Sequence, residues 1–366
     1  MRRPTFVQYQ GTQRPPCPPR ETAGDEISVS NVVSRGNPVP PHRTSQPSGG
    51  SVSARALPIR VTAPPDGADL AGWAGDHRAE IDEYLRTSGA VLFRGFGVTQ
   101  ADQFEPAARS LCAGLMRDTG EHPRDQVGGS VFSPVFYAPE QKLLWHNEQS
   151  FDRTGPARIL FCCAEPAEQG GETPIVDSRL VLAALPGHIR EPFSAQGVQY
   201  RRAYHPGVGR SWQQVFGTED RVRAEELCRI GGIEFSWHGK VLTTQCTRPA
   251  ILEHPITKER SWFNQAQHWH PSCLDPATRS SLATVFGPDL PRDCRLGDGS
   301  VIPDAWMTAI LEVYASLESV FPWQAGDVLA LDNILVAHAR NPYRGKRRLL
   351  VAMGDETTFD GAAPSN

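Results

Sequence analysis

The stretch from Trp323 to Met353 leaves this chain the least freedom, because it alternates short apolar runs with turn residues at the pace of β-strands. Trp323-Gln-Ala-Gly-Asp327 makes a turn and Val328-Leu-Ala-Leu331 a strand. Asp332-Asn333 turns the chain again, and Ile334-Leu-Val-Ala-His338 follows as the next strand. After the loop Ala339 to Gly345, Arg347 to Met353 forms a last strand. One residue stands out in this all-β run. His338 closes an apolar strand, and a buried imidazole needs a polar partner from elsewhere in the chain.

The chain has 366 residues, of which 39% are hydrophobic and eight are Trp, enough for one large domain or two ordinary ones. Residues 1–56 are rich in Pro, Ser, Gly, Thr and Arg and have few large apolar side chains to offset chain entropy. They are expected to form a disordered N-terminal extension ahead of a folded domain over 57–366. An upstream start site would explain them equally well.

In the folded part, Asp76 is placed to cap a helix through Ala79–Leu85, which Gly89 stops. Ala90-Val-Leu-Phe93 is a buried strand, and Thr99 caps a helix carrying Phe104, Ala107, Leu111 and Leu115. Residues 128–138 look extended, and Ile159-Leu-Phe-Cys-Cys163 is another apolar strand. Asp177 caps a helix through Leu180, Leu182 and Leu185. From about 190 to 310, strand-like pieces such as Lys240–Thr244 alternate with loops rich in Pro, Gly and Trp. Val301 to Ser316 holds one more helix. No repeat recurs at a fixed period.

The net charge is −4 and the basic residues are scattered, so neither nucleic acid nor an anionic membrane is expected as a partner. The eight cysteines (17, 112, 162, 163, 228, 246, 273 and 294) lack Cys-x-x-Cys spacing and read as buried or incidental thiols of a reducing compartment. No apolar run approaches the roughly 18–20 residues that cross a bilayer. Met1-Arg-Arg is not followed by the apolar core of a secretory signal. These features together predict a cytoplasmic protein.

A partner for His338 is offered by Leu143-Leu-Trp-His146-Asn-Glu148, where a histidine and a carboxylate two residues apart fall on one face of a strand. Alone the pair is weak, since eleven histidines and forty-one acids produce such spacing by chance. With His338 it makes two imidazoles and one carboxylate, the facial triad of non-haem Fe(II) oxygenases, which leaves three positions for a chelating co-substrate and O2. Two further features fit that chemistry. Arg347 and Arg348 follow His338 closely, and a guanidinium pairs bidentately with a carboxylate. Thr173, in the turn Gly170-Gly-Glu-Thr173, offers a hydroxyl to the same carboxylate.

His146-x-Glu148, Gly170-Gly-Glu-Thr173, Gly326-Asp327, Asp332-Asn333, His338-Ala-Arg340 and Gly345-Lys-Arg347-Arg348 occur in the order found in one family. Over about 57–355 the chain resembles the taurine dioxygenase/clavaminate synthase-type (TauD/TfdA) Fe(II)/2-oxoglutarate oxygenases. Within them it is most similar to the syringomycin-type amino-acid β-hydroxylases of non-ribosomal peptide pathways. Ala90-Val-Leu-Phe-Arg-Gly-Phe96, Ser211-Trp-Gln-Gln-Val-Phe-Gly217 and Trp262-Phe-Asn-Gln-Ala-Gln267 add to that likeness.

The resemblance implies a mostly β fold with flanking helices (α+β), built on a double-stranded β-helix (jelly-roll) core. It implies Fe(II) held by His146, Glu148 and His338, and 2-oxoglutarate held by Thr173 with Arg347 or Arg348, O2 being the other co-substrate. Alternation along a strand lets only one of the two arginines point inward. Arg347 is preferred, on the likeness to nearer relatives. Many relatives carry Asp where this chain has Glu148; a carboxylate of either length argues against a radical halogenase, in which a small residue makes room for chloride.

Between Thr173 and His338 lies more chain than a jelly roll needs. The surplus, about 178–310, is expected as an insert over the metal mouth that supplies substrate contacts. Arg201, Arg202 and Asn264 are the candidates there, each with a competing structural role as surface charge or core hydrogen bonder, and Arg340 either anchors its loop or reaches the substrate. His268-x-His270 lacks a third ligand nearby, and Trp269 between them suggests packing. The expected activity is hydroxylation of an amino acid, free or tethered to the carrier protein of a peptide synthetase. Desaturation, epoxidation or other tailoring of a natural product with the same cofactors is the alternative, and a non-catalytic jelly roll that binds a metal or ligand is a second.

Overall fold

Four apolar runs from distant parts of the chain become neighbouring strands, and both of their faces are buried. The computed structural model describes residues 57–117, 124–287 and 289–359; the extension expected over 1–56 lies outside them. In the major sheet of seven strands the order is Ile59–Thr62, Ala90–Arg94, Val328–Asp332, Thr154–Glu165, Arg348–Thr358, Val131–Phe132 and Gln126–Gly128. All neighbours pair antiparallel except the first two strands, which run parallel.

Successive side chains on a strand point to opposite faces. Leu92, Ile159, Phe161, Cys163, Leu329, Leu331, Leu349, Val351 and Met353 therefore share one face, with Ile175 and Val336 of a second sheet and Leu335 of the turn before it packed against it. Val91, Phe93, Leu160, Cys162, Val328, Ala330, Leu350 and Ala352 share the other, covered by the helices Leu70–Asp76, Arg78–Ser88 and Ala101–Leu111. Two-sided burial is the reason these strands read as continuous apolar runs rather than as an alternating pattern.

The second sheet has three strands in the order Leu143–His146, Val336–Arg340 and Ile175–Asp177. The two sheets facing one another form the jelly-roll core of an α+β protein. Gly89 ends the helix Arg78–Ser88 at a left-handed φ of 81°. A β-carbon there would also run into the Val336 side chain, so the glycine lets that helix end press on the smaller sheet.

The outer face of the smaller sheet is covered by the long segment between Asp177 and Val336. Trp145, Val176, Ala337 and Ala339 pack there with Val181, Leu185, Phe193, Trp262, Ile310 and Tyr314. The segment folds as a four-stranded sheet in the order Glu234–His238, Val241–Arg248, Val198–Tyr204 and Arg292–Leu296, with helices around it. Its helices Gly187–Gln196, Arg221–Ile230 and Pro276–Phe286 are not apparent in the sequence. The first contains Pro192, and the last buries no residue fully, so neither shows a clean apolar stripe.

Two helix starts differ from those expected. Asp76 ends the helix Leu70–Asp76, whose own cap is Asp69, accepting from the Gly72 amide at 2.8 Å. The chain re-enters a helix after a single residue, His77, which leaves no room for a separate cap at Asp76. Thr99 lies one residue before the true cap, Gln100, which forms a reciprocal capping pair with Gln103. Asp177 caps Ser178–Ala184 as expected.

No helix among the described residues is long and apolar enough to cross a membrane. The seven described cysteines are unpaired, and burial pushes the thiols of Cys112, Cys162 and Cys163 up to about 12. A thiol held that high is protonated and inert at neutral pH. In a Cys17→Ser variant at pH 8, Ellman's reagent is expected to leave these three unmodified in the native protein and to react with them once guanidinium unfolds it.

Candidate active site

The site is built on one antiparallel pairing. In the register of Leu143–His146 against Val336–Arg340, His146 lies directly opposite His338, which brings the two side chains to one face. Their ring centroids are 4.3 Å apart. Phe161 of the major sheet packs on His338 at 5.1 Å, so this face looks into the space between the sheets.

The strand stops at His146, and Glu148 sits in the turn beyond it rather than on the strand. That turn is pinned by Asn333, which is fully buried. The Glu148 amide donates to Asn333 Oδ1 at 2.7 Å, while Asn333 Nδ2 donates to the carbonyls of Glu148 at 3.0 Å and Pro156 at 2.8 Å. Asn147 Nδ2 returns a bond to the Asn333 carbonyl at 2.7 Å. One ligand atom from each of His146, Glu148 and His338 then falls within 4.8 Å of the others.

The protonation states suit metal binding. Burial lowers the pKa of His146 and takes that of His338 well below the usual range, so both imidazoles are neutral. His146 Nδ1 lies 2.9 Å from the Leu144 carbonyl, which fixes the tautomer and frees Nε2. His338 Nδ1 is buried and unpaired among the described residues, the mark of a site that awaits a further group or water. Burial is the largest single influence on the Glu148 carboxyl and would raise it, but the charge and hydrogen bond of Arg124, together with the influence of His146 and His338, outweigh it and hold the group down to about 2. Arg124 Nη2 is 2.9 Å from Glu148 Oε2, and the two side chains are 5% and 10% exposed. Two neutral imidazoles and an ionised carboxylate form a donor set that fits a divalent iron.

Further candidates lie in the loops beside the sheets. Trp323 Nε1 donates to Thr173 Oγ1 at 3.1 Å, which leaves the threonine proton free to be donated elsewhere. Arg347 is half-buried, its Nε donating to the Gly171 carbonyl at 2.9 Å. Burial, with the neighbouring charge of Arg340, lowers its pKa to about 10, and among the described residues no carboxylate pairs with it. Arg348, one residue on, is exposed and reaches the Thr99 carbonyl at 3.3 Å. The two arginines thus diverge: Arg347 lies against the turn at Gly171, two residues before Thr173, whereas Arg348 opens the strand Arg348–Thr358 on an exposed edge.

The family described as "Taurine catabolism dioxygenase TauD, TfdA family" matches residues 53–353. The chain belongs to the TauD/TfdA family. It is 35% identical over 298 residues to the dapdiamide synthesis protein DdaC of Enterobacter agglomerans, covering 81% of this chain and 90% of that protein. A clavaminate synthase-like protein of Arabidopsis thaliana is 30% identical over 286 residues, covering 75% of this chain and 83% of its own. Among solved structures, PvcB of Pseudomonas aeruginosa is similar with a TM-score of 0.47 and 14% identity, over 81% of this chain and 85% of that one. Membership makes this chain a dioxygenase that depends on Fe(II), 2-oxoglutarate and O2.

Within this TauD/TfdA member, the other candidates take varied places. Arg201 faces away from Tyr200 and Tyr204 and sits 3.7 Å from Asp293. Arg202 lies on the opposite face of that strand, over the Tyr204 ring at 4.5 Å. Asn264 is fully buried, with both ends of its amide spent on backbone: Nδ2 donates to the Ala250 carbonyl and Oδ1 accepts from the Ala266 amide, each at 3.1 Å. These bonds match the core hydrogen-bonding role weighed against substrate contact for this residue. Arg340 donates to the carbonyls of Ala138 and Gln141, both at 2.7 Å, which anchors the loop before Leu143.

His270 is tied to the Ile302 carbonyl at 2.9 Å, whereas His268 meets His146 edge-on at 4.8 Å. The stretch 264–270 therefore borders the site, with Gln265 Nε2 donating to the Asn147 carbonyl at 2.8 Å and Gln267 to that of Trp145. Sequence reasoning missed Arg124 and the bracing role of Asn333. Nothing in the local pattern flags a lone Arg after a proline, but a polar residue before an apolar strand was a hint for Asn333. Asn333→Ala should destabilise the fold by about 2–4 kcal/mol, since it strands several buried backbone groups. It should also weaken Fe(II) binding by about 10–100-fold, as loss of a ligand's support does. Thermal unfolding and anaerobic metal titration measure the two effects.

Proposed function

We propose that this protein hydroxylates an aliphatic carbon of an amino acid, free or attached to a carrier protein, within natural-product biosynthesis in the cytoplasm. The observation that carries the reading is the convergence of His146, Glu148 and His338, one ligand atom from each lying within 4.8 Å of the others. His146, Glu148 and His338 would hold the iron. Arg347 and Thr173 would receive the distal carboxylate of 2-oxoglutarate, the guanidinium through two parallel bonds and the hydroxyl through one. When bound, iron, 2-oxoglutarate and O2 supply an oxidant able to take hydrogen from an unactivated carbon, with succinate and CO2 as co-products.

The residues of the chain do the positioning. Phe161 and His268 wall the imidazoles and limit water beside them. Glu148 fills the place that a halide would need, which favours oxygen insertion over halogenation. The likeness to a dapdiamide synthesis protein supports a biosynthetic setting and an amino-acid-like substrate. The seven unpaired described cysteines accord with a reducing compartment. The bordering stretch 264–270 and the inward face of the strand Val198–Tyr204, which carries Arg202, are the parts of the insert best placed to meet substrate.

Formation of succinate from 2-oxoglutarate should require Fe(II) and fall to background in His146→Ala; succinate formed in metal-free protein would refute the reading. Arg347→Ala should raise KM for 2-oxoglutarate by about a hundredfold, the worth of ~3 kcal/mol, while Arg348→Ala should leave it near wild type. A product heavier by one oxygen atom in mass spectrometry marks hydroxylation or epoxidation, and loss of two hydrogens marks desaturation.

A further inference from the structure

We infer that Arg124 is a positioning residue that occupies one oxygen of Glu148 and so restricts this ligand to a single oxygen on the metal. The inference rests on the proposed iron site. It starts from the length of Glu148. A facial triad works because it leaves three positions open, two for a keto-acid chelate and one for O2. A glutamate on a flexible arm is able to turn both oxygens toward a cation, as carboxylates do in other metal sites. With both oxygens bound, one of those three positions would be lost.

The backbone of Glu148 is held on both sides, its amide and carbonyl each bonded to Asn333. That bracing fixes where the side chain starts and leaves its end free to rotate. Arg124 supplies the missing restraint. Its Nη2 stands 2.9 Å from Glu148 Oε2 in a pair that is almost wholly buried, where a charge-assisted bond is strong and water does not compete. Arg124 Nε is buried and has no partner among the described residues, so the guanidinium has donor capacity to keep that oxygen as the metal takes the other. Removing the arginine would leave a buried carboxylate with a spare oxygen, and a bound cation is then its natural partner.

The test uses the anaerobic protein with Fe(II), reading the charge-transfer absorption that appears when a keto acid chelates the metal. Wild type should bind Fe(II) and develop the band with 2-oxoglutarate. Arg124→Gln should bind Fe(II) at least as tightly yet need about tenfold or more 2-oxoglutarate to develop the band, and Arg124→Lys should recover part of the loss. Unchanged 2-oxoglutarate affinity in Arg124→Gln, with wild type behaving as expected, overturns the inference alone. Absence of the band in wild type removes the iron reading and the inference with it. A crystal structure of the Mn(II)-loaded wild type decides the matter without any variant. One Glu148 oxygen on the metal with Arg124 about 3 Å from the other supports the inference, whereas two oxygens on the metal or an Arg124 turned away overturns it.

Discussion

The site depends on one interaction above all, the antiparallel pairing that sets His146 opposite His338. A slip of a single residue in that register would turn one imidazole to the outer face, where Trp145, Ala337 and Ala339 are packed by the insert. Register is therefore set by the contents of both faces. The inner face carries the imidazoles and the outer face carries apolar side chains that have nowhere else to go. The insert contributes to the site even where it does not border it, because its helices make the outer face a core.

Glu148 shows a different kind of control. It lies beyond the end of the strand, so no ladder of backbone bonds positions it, and a buried side-chain amide does so instead. Asn333 reaches this turn from the loop between the strands Val328–Asp332 and Val336–Arg340. The same loop is stiffened by Asp332, whose Oδ1 accepts from the amides of Ile334 and Leu335, each at 3.0 Å, and whose Oδ2 meets His254 Nε2 at 3.0 Å. Two consecutive polar residues that read as a plain turn thus tie together the His338 strand, the Glu148 turn and the insert.

How much of this was legible follows from how local each signal is. The four central strands of the major sheet were readable because two-sided burial forces continuous apolar runs, and the end of the helix at Gly89 because a left-handed residue there calls for glycine. The Arg347/Arg348 choice was half legible: neighbouring residues diverge, but which of them packs against the turn at Gly171 depends on where the strand begins. The insert was poorly legible. Its helix Pro276–Phe286 is largely exposed and Gly187–Gln196 carries an internal proline, so neither displays the periodic stripe that announces a helix. Asn264 looked available for substrate because its buried partners, the Ala250 carbonyl and the Ala266 amide, are set by tertiary structure. Arg124 was invisible for the same reason, its meaning residing in a carboxylate separated from it by three short strands and their loops.

The charges of the site suggest why its co-substrate would be an anion. Arg124, Arg340 and Arg347 lie wholly or largely out of water, and Glu148 is the only carboxylate in ion-pair contact with any of them among the described residues. Arg340 offsets the cost of burial with backbone carbonyls and the faces of Tyr137 and Tyr343. Arg347 has one carbonyl and the face of Tyr343, which leaves most of its donors for something else. A divalent cation at His146, Glu148 and His338 would add further positive charge to a region already in excess. A dicarboxylate that met the metal at one end and Arg347 at the other would offset both, and metal and co-substrate would then each favour the binding of the other.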